Sequence, residues 1–164
     1  MRALRNSPTL VTVALILAVF ICQQVAAFVG LRGLFALSNP LLARPWTLVT
    51  NVYAHGGVAH LVGNALALAL GGLLVEQVTT SARFHAFFVG VGALAGVTEV
   101  VISGSGVLGA SGAILGLYGY LLGGNRVTEW VVGGVALSPR VQLALGAVLA
   151  ALLTLLTASP RAAL

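Results

Sequence analysis

The stretch YAHGGVAHLVGNALALALGGLLV, residues 53–75, decides the fold class of this chain. From Val58 to Val75 it contains no charged residue, and this length lies within the ~17–25 residues that a transmembrane helix needs. His60 and Asn64 are its strongly polar members, and because they are four residues apart they share one helix face. Neither side chain is stable against lipid, so this face should point into a helical bundle.

The composition of the whole chain also indicates a membrane protein. Of the 164 residues, 59% are hydrophobic and only 7% are charged, against about 25% charged in an average soluble domain. So few polar residues cannot cover a soluble globule, and a disordered chain needs the opposite composition. Cys22 is the lone cysteine, which excludes a disulfide framework. The eight basic residues are scattered arginines, so nucleic acid is not an expected partner.

Further apolar segments lie on both sides of this span. We expect an all-α polytopic membrane protein with five transmembrane spans, at about 10–30, 58–75, 84–102, 108–122 and 141–156. With a cytoplasmic N-terminus, five arginines lie inside and three outside, which agrees with the positive-inside rule. The expected location is the cell membrane. The connection from 31 to 57 is long enough to have structure or function of its own.

The spacing of His60 and Asn64 supports two interpretations. Polar side chains at membrane depth often join helices by hydrogen bonds, and they also mark catalytic or binding sites. A metal site is a weaker interpretation, because His55 and His60 would lie ~140° apart on a continuous helix. In addition, no nearby cysteine or carboxylate completes a ligand set. We therefore expect neither a metal nor a cofactor.

A second motif, Gly109-Ala110-Ser111-Gly112, opens the fourth apolar span. A serine at a helix start is most often a cap. Between glycines, however, backbone and ligand can approach closely. The free N–H groups of a helix N-terminus can also stabilise an oxyanion beside an attacking serine. The motif by itself leaves both the cap and the nucleophile open.

Taken together, the two motifs resemble the rhomboid family of intramembrane serine proteases. The resemblance rests on the order and spacing of His55, His60 and Asn64, followed by residues 109–112 at the start of a glycine-rich helix. It covers most of the chain, from about residue 44 to residue 123. The serine motif alone is a weak signal, whereas the serine motif joined to the histidine–asparagine pattern is a strong one.

The resemblance implies a rhomboid-like helical bundle that cleaves transmembrane proteins near the outer interface. Ser111 would be the nucleophile and would face the outer side of the membrane. His60 and Asn64 would donate hydrogen bonds to the oxyanion, together with the backbone N–H of Ser111. His55 would support a loop and would not be the base. The residues expected to support the motifs are Gly109, Gly112 and His55.

The chain departs from the family pattern at the catalytic base. The family uses a Ser–His dyad whose histidine lies on a sixth span, and no histidine follows His85 in this sequence. An unassisted serine is a poor nucleophile. We therefore expect residues 1–164 to be a single rhomboid-like membrane domain that is C-terminally incomplete, with five of six spans. As given, this chain would be inactive without the base.

Two functional interpretations consequently stay open. The chain is either a rhomboid-type serine protease or a catalytically inactive rhomboid-like protein that binds transmembrane clients. A small transporter or a helical structural protein is a third class. It is disfavoured because few charged residues lie at membrane depth and the spacing shows no inverted repeat. In both leading interpretations the partners are transmembrane proteins and the lipid bilayer. The sequence leaves the substrate and the oligomeric state open.

Overall fold

The computed structural model describes residues 7–123 and, further along the chain, residues 138, 140, 141, 144 and 148. This part of the protein is helical and contains no β-strand. Three helices are long and apolar enough to cross a membrane, and a fourth, shorter helix is also apolar. The α-helices are α1 (Pro8–Phe28), α2 (Thr47–Tyr53), α3 (Val58–Val75), α4 (Ser81–Ser103) and α5 (Ser111–Leu122).

The first four predicted spans are confirmed as helices, with differences at their ends. The predicted span 58–75 coincides with α3. The fourth span begins at Ser111 and not at residue 108, because Gly109 has a φ of +135°, which no α-helix contains. Of the predicted fifth span, 141–156, only three residues are described, and they are helical. The rest of that span lies outside the described residues.

Side-chain caps explain why α1 and α4 begin earlier than hydropathy predicts. Ser7 Oγ accepts a hydrogen bond of 3.2 Å from the N–H of Leu10, and Pro8 follows at the first helical position. Proline is well tolerated there because its missing N–H would have no partner within the helix. Thr80 caps α4 in the same way through the N–H of Arg83. Hydropathy misses these caps because the capping residues are polar.

Small residues allow α5 to pack closely against its two neighbours, as is usual between membrane helices. A Cβ atom at Gly116 would lie 2.6 Å from Cγ1 of Val91 on α4. Toward α3, a Cβ atom at Gly71 would lie 2.9 Å from the ring of Tyr118, whose hydroxyl donates to a backbone carbonyl of α3. The bundle therefore depends on backbone approach as well as on its buried core. That core contains Ile16, Val52, Leu61, Leu68, Phe84, Phe88, Ile114 and Leu117.

The bundle has two polar ends. At the first, the start of α1 meets the end of α3, where Glu76 accepts hydrogen bonds from Ser7 Oγ (2.6 Å) and from the N–H of Thr9 (3.1 Å). His85, near the start of α4, lies 3.4 Å from Thr12 Oγ1. We call this the Glu76 end. The opposite end, where α5 begins, is called the Ser111 end.

The connection between α1 and α3 has structure of its own, as the sequence predicted. It contains α2 and two short 3-10 turns, Arg32–Phe35 and Leu41–Ala43. Leu37 and Val107 exchange backbone hydrogen bonds of 3.0 and 2.8 Å. This pairing fastens the connection to the link between α4 and α5, at the Ser111 end.

Candidate active site

The site is organised around the turn that leads into α5. Ser111 is the first residue of the helix and is half-buried, and no side chain in the described part of the chain caps the helix N-terminus. The N–H of Gly109 donates to the carbonyl of Asn51 at 2.9 Å, which attaches the turn to α2. The positive end of the α5 dipole therefore lies at Ser111. This is an electrostatic environment that favours a negative group.

Helix α3 places His60 and Asn64 against the same turn. A Cβ atom built on Gly109 would lie 2.8 Å from Nε2 of His60 and 3.9 Å from Nδ2 of Asn64. Because Gly109 also has a positive φ, both its conformation and its surroundings require glycine. The structure thus brings together His60, Asn64 and Gly109, which the sequence predicted to share a site with Ser111.

Two polar atoms of this pair have no hydrogen-bond partner within the described part of the chain. They are Nδ1 of His60 and Oδ1 of Asn64, and both are buried. A buried polar atom without a partner costs about 1–3 kcal/mol of stability. Unpartnered groups next to a helix N-terminus are suited to contacting a polar ligand group.

His55 lies behind the pair and contacts it directly. Its Nε2 is 3.0 Å from Nδ2 of Asn64, and its Nδ1 is 3.0 Å from the carbonyl of Tyr53. The rings of His55 and His60 meet edge to face, with 5.0 Å between their centroids. Burial, followed by the neighbouring His60, lowers the pKa of His55 to about 4. His55 is therefore neutral at physiological pH.

Gly112, which was predicted to support the serine motif, and His85 take structural positions. Gly112 faces Ala95 of α4 and so serves helix packing. His85 lies at the Glu76 end, in contact with Thr12. Within the described ranges, no group of three or more His, Cys, Asp or Glu side chains could hold a metal ion.

Sequence reasoning missed two residues that support the site. Gln23 of α1 is fully buried, and its Oε1 accepts a hydrogen bond of 3.0 Å from the N–H of His55. Its signal was present, because glutamine is costly in an otherwise apolar span. Asn51 had no such signal, since it lies in a connection where polar residues are common. Its contribution is the backbone carbonyl that holds Gly109.

Comparisons with known proteins identify the family of this chain. The family model of the rhomboid domain matches residues 42–162. Rhomboid protease GluP of Bacillus subtilis is 39% identical over 89 residues, which cover 53% of this chain and 18% of that protein. RHOMBOID-like protein 5 of Arabidopsis thaliana is 32% identical over 107 residues, covering 62% of this chain and 34% of that protein.

RHOMBOID-like protein 1 of Arabidopsis thaliana is 31% identical over 88 residues, which are 53% of this chain and 22% of that protein. The chain thus spans about a third or less of the length of these relatives. No solved structure matches it. The rhomboid model, in contrast, covers well over half of the chain. This polytopic membrane protein therefore belongs to the rhomboid family.

Proposed function

We propose that this protein is a rhomboid-type intramembrane serine protease in which Ser111 is the nucleophile. The contact of His60 with Gly109, two residues before Ser111, carries the proposal. It supports a catalytic site because it joins a buried polar face of α3 to the uncapped N-terminus of α5. The rhomboid family acts in membranes on transmembrane substrates.

In the proposed reaction, Ser111 Oγ attacks the carbonyl carbon of the scissile peptide bond. The carbonyl electron pair moves onto oxygen, and the hydroxyl proton passes to a base. His60, Asn64 and the backbone N–H of Ser111 stabilise the oxyanion. One such donor is typically worth about 10²–10³ in rate. Collapse of the intermediate breaks the C–N bond, and the base returns its proton to the leaving nitrogen, so that a neutral amine departs. An acyl ester remains on Ser111, and water then hydrolyses it.

The proposal requires a base that none of the three histidines of this sequence supplies. His85 is at the Glu76 end. His55 is hydrogen-bonded to Tyr53 and Asn64. His60 is proposed to be an oxyanion donor and so does not serve as the base. We propose a histidine contributed from beyond residue 164 or by another chain.

The Ser111 end is proposed to face the outer side of the cell membrane, with the N-terminus in the cytoplasm. The distribution of arginines supports this orientation, since five of the eight lie on the proposed inner side. Substrate helices would then be cut near the outer interface. Water would reach the acyl ester from outside.

Replacement of the nucleophile tests the proposal. Ser111→Ala should reduce cleavage of a reconstituted transmembrane substrate by about 10³-fold or more, because loss of a nucleophile leaves only residual catalysis. Ser105→Ala is a matched control, because Ser105 is exposed in the link before α5. It should cleave at the wild-type rate. Cleavage that persists in Ser111→Ala would exclude this mechanism.

A second function, binding of transmembrane clients without cleavage, is favoured because His55 is hydrogen-bonded to Tyr53 and Asn64 and His85 lies at the Glu76 end, so neither is placed to act as a base for Ser111. It predicts that client capture survives Ser111→Ala. It also predicts that a fluorophosphonate probe leaves Ser111 unlabelled, because an unactivated serine reacts slowly. Labelling of Ser111 would contradict this function and support the protease.

A further inference from the structure

The hydrogen bonds of His55 determine which of its ring nitrogens carries the proton. Nδ1 lies 3.0 Å from the carbonyl oxygen of Tyr53. A carbonyl can only accept, so the proton must be on Nδ1. In the neutral ring Nε2 then has a lone pair and can only accept.

This tautomer in turn determines the orientation of the Asn64 amide. The atom 3.0 Å from Nε2 must be a donor, so Asn64 presents its NH₂ group to His55. The amide oxygen of Asn64 has no partner among the described residues. Within this part of the chain, the bond to His55 is therefore the hydrogen bond that selects one of the two amide orientations.

The selected orientation directs a donor toward the serine turn. An NH₂ group has two hydrogens, and the bond to His55 uses one of them. Nδ2 of Asn64 lies 3.9 Å from the position of a Cβ atom on Gly109, so the second N–H is close enough to the turn to donate to a group bound there. With the amide flipped by 180°, the oxygen would take this place and would repel an oxyanion.

We propose that His55 is a positioning residue of the oxyanion site and acts through Asn64. Its unprotonated Nε2 holds the Asn64 amide with one N–H available near Gly109. The role goes beyond loop support and rests on the proposed protease function. Oε1 of Gln23, on α1, accepts a hydrogen bond from the backbone N–H of His55 and so holds the backbone of the histidine in place.

Nuclear magnetic resonance of the full chain in nanodiscs tests the hydrogen bond independently of activity. With ring-¹⁵N histidine, we expect His55 to be neutral and protonated at Nδ1, and Asn64→Ala should shift its Nε2 resonance. The side-chain amide signals of Asn64 should shift in His55→Leu and return toward wild type in His55→Gln, whose amide oxygen can accept. His85→Leu, at the Glu76 end, is the matched control and should leave Asn64 unchanged.

Two results would overturn the proposal. One is a proton on Nε2 of His55, and the other is an Asn64 amide signal that is unaffected by His55→Leu. If His55→Leu does not fold, the wild-type tautomer and the effect of Asn64→Ala on the His55 ring still decide whether Nε2 of His55 accepts a hydrogen bond from Asn64.

Cleavage kinetics test the consequence for catalysis. His55→Leu should lower kcat about tenfold, a part of the effect of losing an oxyanion donor, with little change in KM. His55→Gln should recover most of this loss, and His55→Leu should have no further effect in an Asn64→Ala background. Additive effects would contradict the proposal. If the wild-type chain does not cleave, the proposed function fails, whereas the resonance data still decide whether His55 orients Asn64.

Discussion

At the Glu76 end, a buried carboxylate accepts hydrogen bonds from Ser7 and Thr9, whereas at the Ser111 end His60 and Asn64 each keep a buried polar atom without a partner. Among the described residues, five of the six unpartnered buried side-chain atoms lie toward the Ser111 end, and the sixth is the hydroxyl of Thr9. Satisfied polar groups hold helices together. Unsatisfied ones keep hydrogen-bonding capacity that water or a ligand can use.

The largest expected effect is at Gly109. Gly109→Ala places a Cβ atom 2.7 Å from the His60 ring at a φ of +135°, so the turn or the ring must move. We expect at least about 100-fold slower cleavage, comparable to loss of an oxyanion donor, and a loss of roughly 1–3 kcal/mol in stability. Cleavage rate and thermal unfolding in detergent measure the two effects.

Gly119→Ala is the matched control on α5. Apart from the helix's own backbone, no atom of the described residues lies within 4 Å of a Cβ atom there, and the backbone is helical. This variant should be as active as the wild type and at least as stable, because alanine favours helix. Equal damage from the two substitutions would show that α5 tolerates no added methyl group. The turn at Gly109 would then be no more sensitive to an added methyl group than the rest of α5.

The pH dependence of stability sharpens the comparison through His55. Its pKa is about 4 in the folded protein, below the usual value of about 6.5. The unfolded chain therefore binds the proton more tightly than the folded protein does. The contribution of neutral His55 to the free energy of unfolding is consequently complete above about pH 6.5 and is lost as pH falls toward 4. The loss should reach about 3 kcal/mol near pH 4. The free energy of unfolding of the wild type and of His55→Gln, compared at pH 7 and pH 4, isolates the loss due to His55. An equal pH dependence in the two proteins would contradict the lowered pKa of His55.

A smaller effect is expected at the Glu76 end. Glu76→Ala removes the acceptor for Ser7 Oγ and the N–H of Thr9 and should cost about 1–3 kcal/mol. Glu76→Gln keeps one acceptor oxygen and should cost less. Cleavage per folded molecule should not change, because this end is separate from the serine turn. Glu99→Gln, at an exposed position of α4, serves as the control in thermal unfolding.

The smallest effect is expected at Trp46. Its Nε1 donates to the carbonyl of Leu34 at 3.1 Å, and half of the side chain is exposed. Trp46→Phe should cost at most about 1 kcal/mol, because water can replace an exposed hydrogen bond. A loss in thermal unfolding larger than that of Glu76→Ala would reverse the ranking of the two ends.

The hydrophobic pattern predicted the helices well, because membrane length and lipid contact leave few alternatives. Span 58–75 was predicted to the residue. The fourth span was predicted too early, since hydropathy does not detect a positive φ at Gly109. The ends of α1 and α4 depend on caps at Ser7 and Thr80, which hydropathy does not register.

The site was predicted only in part. The family resemblance grouped Ser111 with His60 and Asn64, while spacing alone could not decide between packing and chemistry. The hydrogen bond between His55 and Asn64 crosses a helix start, and its geometry depends on where residues 54–57 turn. The contact of Glu76 with Ser7 joins residues 69 positions apart, which no local pattern encodes.

The backbone pairing of Leu37 with Val107 also has a mechanical consequence. Val107 is two residues before Gly109, so this pairing holds the backbone next to the serine turn. The loop after α1 and the turn that leads into α5 are thus mechanically coupled by two backbone hydrogen bonds. A displacement of the loop, by a docking partner or by a change in bilayer thickness, should therefore shift the backbone at Ser111.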